Sequence, residues 1–81
     1  MTLTCGRLCL TEIETDRQDL LELVGGLYYP NRLAIGKPAL FTDVNTTSHT
    51  VKTSPVNKIT LSAGKVTVRT ENTTYYFKEA H

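Results

Sequence analysis

The chain has 81 residues, of which 40% are hydrophobic and 21% are charged, and its formal net charge is +1. This length allows one domain over residues 1–81, and the composition is that of a folded globular chain rather than a disordered one. Near-neutrality excludes a strong overall attraction to nucleic acid or to an acidic membrane surface. The first residues lack a signal-peptide pattern and no apolar run could span a bilayer, so we expect a cytoplasmic protein without membrane association.

The N-terminal third predicts one strand followed by one helix. Leu8–Ile13 has strand character, and Thr15 followed three residues later by Gln18 forms a capping box, which is typical of a helix start. Gly25 and its neighbour supply a left-handed residue that can end a helix. Apolar residues recur between these signals at helical spacing, at Leu20, Leu21, Val24 and Leu27. We therefore predict a helix near Thr15–Val24.

The remainder of the chain predicts short strands joined by turns. Tyr28–Arg32 contains Pro30 and Asn31 and is interpreted as a turn-rich connection. Pro38 suits the first residues of a strand, where no ladder donor is needed. The predicted strands lie within 36–42, 49–53, 53–61, 65–70 and 73–77.

Alternation along the last strands predicts the orientation of the sheet. Val66 and Val68 share one face, and Lys65, Thr67 and Arg69 share the other, which indicates an antiparallel sheet with one solvated side. With the N-terminal helix, the pattern predicts the α+β class, with a small antiparallel sheet of four to five strands. An SH3-like half-open barrel is the other arrangement of these strands that the pattern allows.

Cysteine and histidine supply the residues from which a metal site could be built. Cys5, Cys9, His49 and His81 are the minimum set for tetrahedral zinc. The cysteine spacing is one residue wider than that of the commonest zinc knuckle, the histidines are far apart, and a buried cysteine is also an ordinary core residue. We therefore expect no bound metal, no cofactor and free thiols. No local signature groups a nucleophile with a base, so we expect a protein that is not an enzyme.

Exposed aromatic and arginine side chains are the candidate partner-binding residues, because tyrosine and arginine are enriched among the residues that anchor interfaces. This criterion selects Tyr28, Tyr29, Arg32, Arg69 and Tyr76. The alternative for Tyr28 and Tyr29 is that one packs beneath the loop while the other is exposed.

A nucleic-acid interface is a second interpretation of the same sheet. It would use basic residues on the solvated side, with Tyr75 or Tyr76 stacking on bases. The basic residues are Lys52, Lys58, Lys65, Arg69 and Lys78. Lysine and arginine on a solvated strand face also protect against aggregation, and the net charge is nearly balanced, so this interpretation is not favoured.

The C-terminal half carries one resemblance to known proteins. The segment from Gly36 to Phe41, the Thr53–Ile59 segment, and the alternation from Val66 to Tyr75 resemble small accessory proteins of phages and mobile elements, among which anti-CRISPR proteins are the best-known group. The resemblance implies a stoichiometric inhibitor that binds a protein partner such as a CRISPR effector or another defence nuclease. It leaves open whether the chain is a monomer or a homodimer. The alternative function is a small nucleic-acid-binding or zinc-stabilised regulatory module.

Overall fold

Six antiparallel strands form a closed barrel in a computed structural model that describes residues 7–46 and 49–79. Each strand pairs with the next one along the chain, and the sixth returns to pair with the first. Full closure leaves fewer unpaired strand edges than an open sheet of the same size. The strands are β1 (Leu8–Thr15), β2 (Leu27–Arg32), β3 (Pro38–Asp43), β4 (Thr50–Ser62), β5 (Lys65–Thr70) and β6 (Thr73–Glu79).

The predicted α+β class is wrong, because the expected N-terminal helix is only a 3₁₀ helix over Gln18–Leu23. Thr15, the expected helix cap, is instead the last residue of β1, where its hydroxyl contacts that of Thr73 at 3.0 Å. The residue at the cap position, Arg17, makes no side-chain capping bond. No helix among residues 7–46 and 49–79 is long and apolar enough to cross a membrane. The chain is a small all-β protein rather than a small α+β domain.

The sheet also differs from the prediction in strand number and closure, with six strands in a ring rather than four or five in a half-open barrel. The additional strand is β2, over Leu27–Arg32, where the sequence predicted a turn-rich connection. Pro30 lies opposite Phe41, and the register shifts between Pro30 and Arg32. A bulge is a place where a strand tolerates proline, which explains why the turn residues did not prevent the strand.

β4 is one continuous strand where the sequence predicted two. Its first half pairs with β3 and its second half with β5. Buried Thr53 and Val56 and half-buried Ile59 are spaced by three residues rather than two. Register shifts with one extra β4 residue occur opposite both neighbours. Such bulges bend a strand, and here they let β4 turn the corner of the barrel.

The predicted orientation of β5 is confirmed. Val66 and Val68 are buried, while Lys65 and Arg69 are exposed. Inside the barrel, the rings of Phe41 and Phe77 lie with their centroids 4.7 Å apart. The buried apolar residues form one cluster that consists of Leu8, Leu10, Ile13, Tyr28, Ala39, Phe41, Val56, Val66, Val68, Tyr75 and Phe77.

Candidate functional site

The outward side chains of the second half of β4, of β5, of β6 and of β1 form one continuous surface, which we call the β5–β6 face. Successive residues of a strand point to opposite sides, so the residues that alternate with the core all lie on this face. The strand register arranges them in three rows that run across the four strands. The rows are Lys58–Arg69–Thr74–Glu14, Thr60–Thr67–Tyr76–Glu12 and Ser62–Lys65–Lys78–Cys9.

Two of these rows place positive charges directly opposite each other. Lys58 on β4 faces Arg69 on β5, and Lys65 on β5 faces Lys78 on β6. All four side chains are exposed. In the described part of the chain, no carboxylate lies within ion-pair distance of any of the four. Like charges directly opposite in a sheet repel each other, so both pairs slightly destabilise the barrel.

Tyr76 occupies the middle row, between the two cation pairs. Its hydroxyl donates a hydrogen bond to Oε2 of Glu14 at 3.3 Å, and its carbonyl accepts one from Oγ1 of Thr11 at 3.1 Å. Partial removal from water and the nearby Glu14 carboxylate raise the pKa of Tyr76 above its ordinary value. The phenol therefore stays protonated at neutral pH and can act as a neutral aromatic anchor.

Two open depressions flank Tyr76 and share Thr67. The first encloses about 340 Å³ beside Lys58 and Arg69. The second encloses about 390 Å³ beside Lys65 and Lys78. Each depression is thus lined by one cation pair, by Tyr76 and by one carboxylate of β1, which is Glu14 in the first and Glu12 in the second.

A third depression of about 580 Å³ extends the face past Arg69 to Leu21 of the 3₁₀ helix. Leu21 is 47% exposed. The face therefore combines an aromatic side chain, an apolar side chain, cations and the carboxylates Glu12 and Glu14. Tyrosine and arginine are enriched in protein interfaces, whereas lysine and glutamate are depleted, so Tyr76 and Arg69 are the residues of this face that favour protein binding.

The structure separates the five predicted partner-binding residues. Arg69 and Tyr76 line the same depression on the β5–β6 face. Tyr29 and Arg32 lie on β2, and β2 is three strands away from β5 around the barrel. Tyr28 is 4% exposed and its hydroxyl donates to the carbonyl of Leu23, so it is a core residue and is not available to a partner.

The metal candidates are only partly within the described residues, because Cys5 and His81 lie outside them. Cys9 is half-buried on β1, and exposed His49 precedes β4. Within residues 7–46 and 49–79, no group of three or more His, Cys, Asp or Glu residues is placed to hold a metal ion.

The sequence identified four of the cations on the face but not the carboxylates beside them. Glu12 and Glu14 belong to β1, and the register shift between Leu10 and Glu12 alters which of its residues point outward. Tyr75, the alternative stacking residue, is buried, so Tyr76 is the aromatic residue of this face.

No family model, no curated protein and no solved structure matches the chain. The resemblance to phage and mobile-element proteins, anti-CRISPR proteins included, therefore gains no support. The functional proposal rests on the geometry of the β5–β6 face.

Proposed function

We propose that this chain is a non-enzymatic binding module that contacts a protein partner through the β5–β6 face. The observation that carries the proposal is the position of Tyr76 between two cation pairs, next to Arg69. Tyrosine and arginine dominate the energetics of many interfaces because they combine large contact area with directed hydrogen bonds. Leu21 adds an apolar contact at the edge of the same surface.

The barrel supports binding because every residue of the three rows is held by a paired strand. Sites on regular strands are positioned more accurately than sites on loops, and little order has to be gained on binding. Tyr76 is further fixed by its hydrogen bond to Glu14. The face can therefore bind a partner without a large loss of conformational entropy.

The matched test compares two pairs of the same residue types on opposite sides of the barrel. One variant carries Tyr76→Ala and Arg69→Ala on the β5–β6 face, and the control carries Tyr29→Ala and Arg32→Ala on β2. Each tagged protein is incubated with lysate of the source cells, and captured proteins are quantified by mass spectrometry. We expect the partner of the wild-type chain to be lost with the first variant and retained with the second, while both variants melt near the wild-type temperature.

Titration of the purified partner distinguishes binding from catalysis. Occupation of a surface should saturate near one copy of the chain per target site and leave the target chemically unmodified. Loss of the partner with the β2 variant alone would show that the interface lies on the β2 side of the barrel. Modification of many targets by one copy would contradict the non-enzymatic assignment.

Single-stranded nucleic acid is the second candidate, because four cations surround Tyr76 on the same face. Backbone phosphates pair with such cations, and bases stack on exposed aromatic rings. This candidate predicts affinity for an oligonucleotide that falls steeply as salt increases. Fluorescence anisotropy with oligo(dT) at low and at physiological salt tests it.

A further inference from the structure

The two cation pairs of the β5–β6 face are separated by a fixed distance along β5. Lys65 belongs to one pair and Arg69 to the other, and both point outward from the same strand. Four residues of strand at about 3.3 Å each place the two pairs roughly 13 Å apart. Thr67 and Tyr76 lie between them in the middle row.

We infer that the β5–β6 face binds an acidic protein segment that places one anionic cluster on each cation pair and spans Tyr76 between them. The inference rests on the proposed function and names the chemistry of the partner. Carboxylates would form charge-assisted hydrogen bonds with Lys58 and Arg69 at one end and with Lys65 and Lys78 at the other. Binding would also remove the repulsion that each pair has in the free barrel.

The carboxylates of β1 favour a polypeptide over a nucleic acid. Glu14 ends the row that contains Lys58 and Arg69, and Glu12 ends the row that contains Tyr76. A chain of phosphates crossing the face would meet these negative charges, whereas a polypeptide can offer them a lysine, an arginine or a backbone N–H. The face is therefore positive over β4 to β6 and negative over β1, which complements a segment with acidic clusters and a neighbouring basic residue.

The distance between the two cation pairs determines how far apart the acidic clusters of the bound segment must lie. An extended peptide covers roughly 13 Å in four residues, so its acidic clusters would lie at positions n and n+4. A helix would need about nine residues for the same distance, because its rise is about 1.5 Å per residue. A residue with an apolar side chain between the clusters would contact the ring of Tyr76.

The test uses synthetic probes with the full chain. A fluorescein-labelled peptide carries two Asp-Asp pairs whose first residues are four positions apart, and a second peptide has lysine in place of each aspartate. The third probe is oligo(dT) of about 12 nucleotides, which is within the usual site size for single strands. Binding is measured by anisotropy at two salt concentrations.

Three variants with equal net charge are compared with the wild-type chain. The first carries Lys65→Gln and Lys78→Gln, the second carries Lys58→Gln and Arg69→Gln, and the control carries Lys37→Gln and Lys52→Gln. Lys37 and Lys52 are exposed but lie outside the three rows. We expect the acidic peptide to bind the wild-type chain and the control, and its Kd to rise at least about tenfold in each of the other variants, as loss of a charged contact in an interface commonly causes. Higher salt should weaken the binding, because exposed charges are screened.

The outcomes separate this inference from the proposed function. No binding of the acidic peptide, or equal losses in all three variants, overturns the inference. Binding of oligo(dT) but not of the peptide, with the same dependence on the cation pairs, assigns the face to nucleic acid instead. The last outcome is capture of a native partner in a way that depends on Tyr76 but on none of the four cations. That result overturns the inference of an acidic segment and leaves the proposed protein-binding function in place.

Discussion

Thr70 and Thr73 close the turn between β5 and β6 through a single hydroxyl group. Oγ1 of Thr70 donates to the carbonyl of Thr73 at 2.9 Å and accepts from the amide of Thr73 at 3.2 Å. Both residues are buried, so neither backbone group can turn to water if the hydroxyl is removed. Thr70→Val, which keeps the shape of the side chain, should therefore destabilise the barrel by about 1–3 kcal/mol.

Urea denaturation of Thr70→Val, Thr70→Ser and Thr74→Val tests this role of the hydroxyl. Thr70→Ser keeps the oxygen and should retain more of the stability. Thr74 lies on the outer face, so Thr74→Val should change the free energy of unfolding by no more than about 0.5 kcal/mol. Equal losses for Thr70→Val and Thr74→Val would show that the hydroxyl is not a structural element of the turn.

The β4–β5 turn carries local strain at Ala63, whose φ is 50°, followed by Gly64 with φ 76°. Positive φ at both central residues is the geometry of a type I′ hairpin turn, for which Asn-Gly is the preferred sequence. Left-handed backbone costs an alanine roughly 1 kcal/mol. Ala63→Asn should recover part of that energy and raise the melting temperature, whereas Ala63→Val should lower it. Calorimetry of the two variants gives the sign, and a lower melting temperature for Ala63→Asn would contradict the assigned turn.

Repulsion between Lys65 and Lys78 should be measurable in the free protein. Lys65→Glu converts a like-charged cross-strand pair into an opposite-charged one and should stabilise the barrel by about 0.2–1 kcal/mol at low salt. High salt should reduce the difference, because both side chains are exposed. Lys37→Glu, outside the face, is the control for the change in net charge. Stabilisation that is the same for both variants would indicate an effect of net charge rather than of the pair.

The buried phenol of Tyr75 should make the barrel sensitive to alkali. Burial raises the pKa of Tyr75 above its ordinary value of 10.0, and the nearby Arg17 partly offsets that rise. Because the folded-state pKa is the higher one, the contribution to stability is complete below about pH 10 and is lost as pH rises through the folded-state pKa.

Urea midpoints between about pH 8 and about pH 11 test this linkage. Tyr75→Phe should show a shallower fall in stability over the upper part of that range than the wild-type chain. Thr74→Val on the outer face is the control, since it removes no titratable group and should leave the slope unchanged. Parallel slopes for the wild-type chain and Tyr75→Phe would remove Tyr75 as the cause of alkaline unfolding.

Local alternation was sufficient to predict β5 and β6, but not the first third of the chain. Val66 and Val68 face a core and their neighbours face water, so a two-residue period gives the strand and its orientation. Leu20, Leu21 and Val24 had the spacing of a helix, yet Val24 and Leu21 are exposed in the structure. Of this segment, only Leu20 and Leu23 pack against the core of the barrel. Tertiary packing therefore overrode the helical period of the sequence.

Bulges explain most of the remaining differences. An extra residue in a strand changes which side chains point inward, so a strict two-residue period fails at Thr53, Val56 and Ile59 of β4. The candidate site, too, could be predicted from the sequence only in part. Arg69 and Tyr76 were selected from residue type alone, whereas the opposition of Lys58 to Arg69 and of Lys65 to Lys78 depends on strand register.

The pairing of β1 with β6 has a consequence for how the barrel assembles. The register runs from Leu8 opposite Glu79 to Thr15 opposite Thr73, so this contact joins the two most distant strands of the chain. The hairpins from β3 to β6 can form from short-range contacts, while ring closure has to wait until β6 has been synthesised. Until then β1 is paired only with β2, through Leu8 and Cys9, and its other backbone groups can pair with β6 of another copy. Exchange of β1 between two copies is therefore a route of association that the topology leaves open during folding.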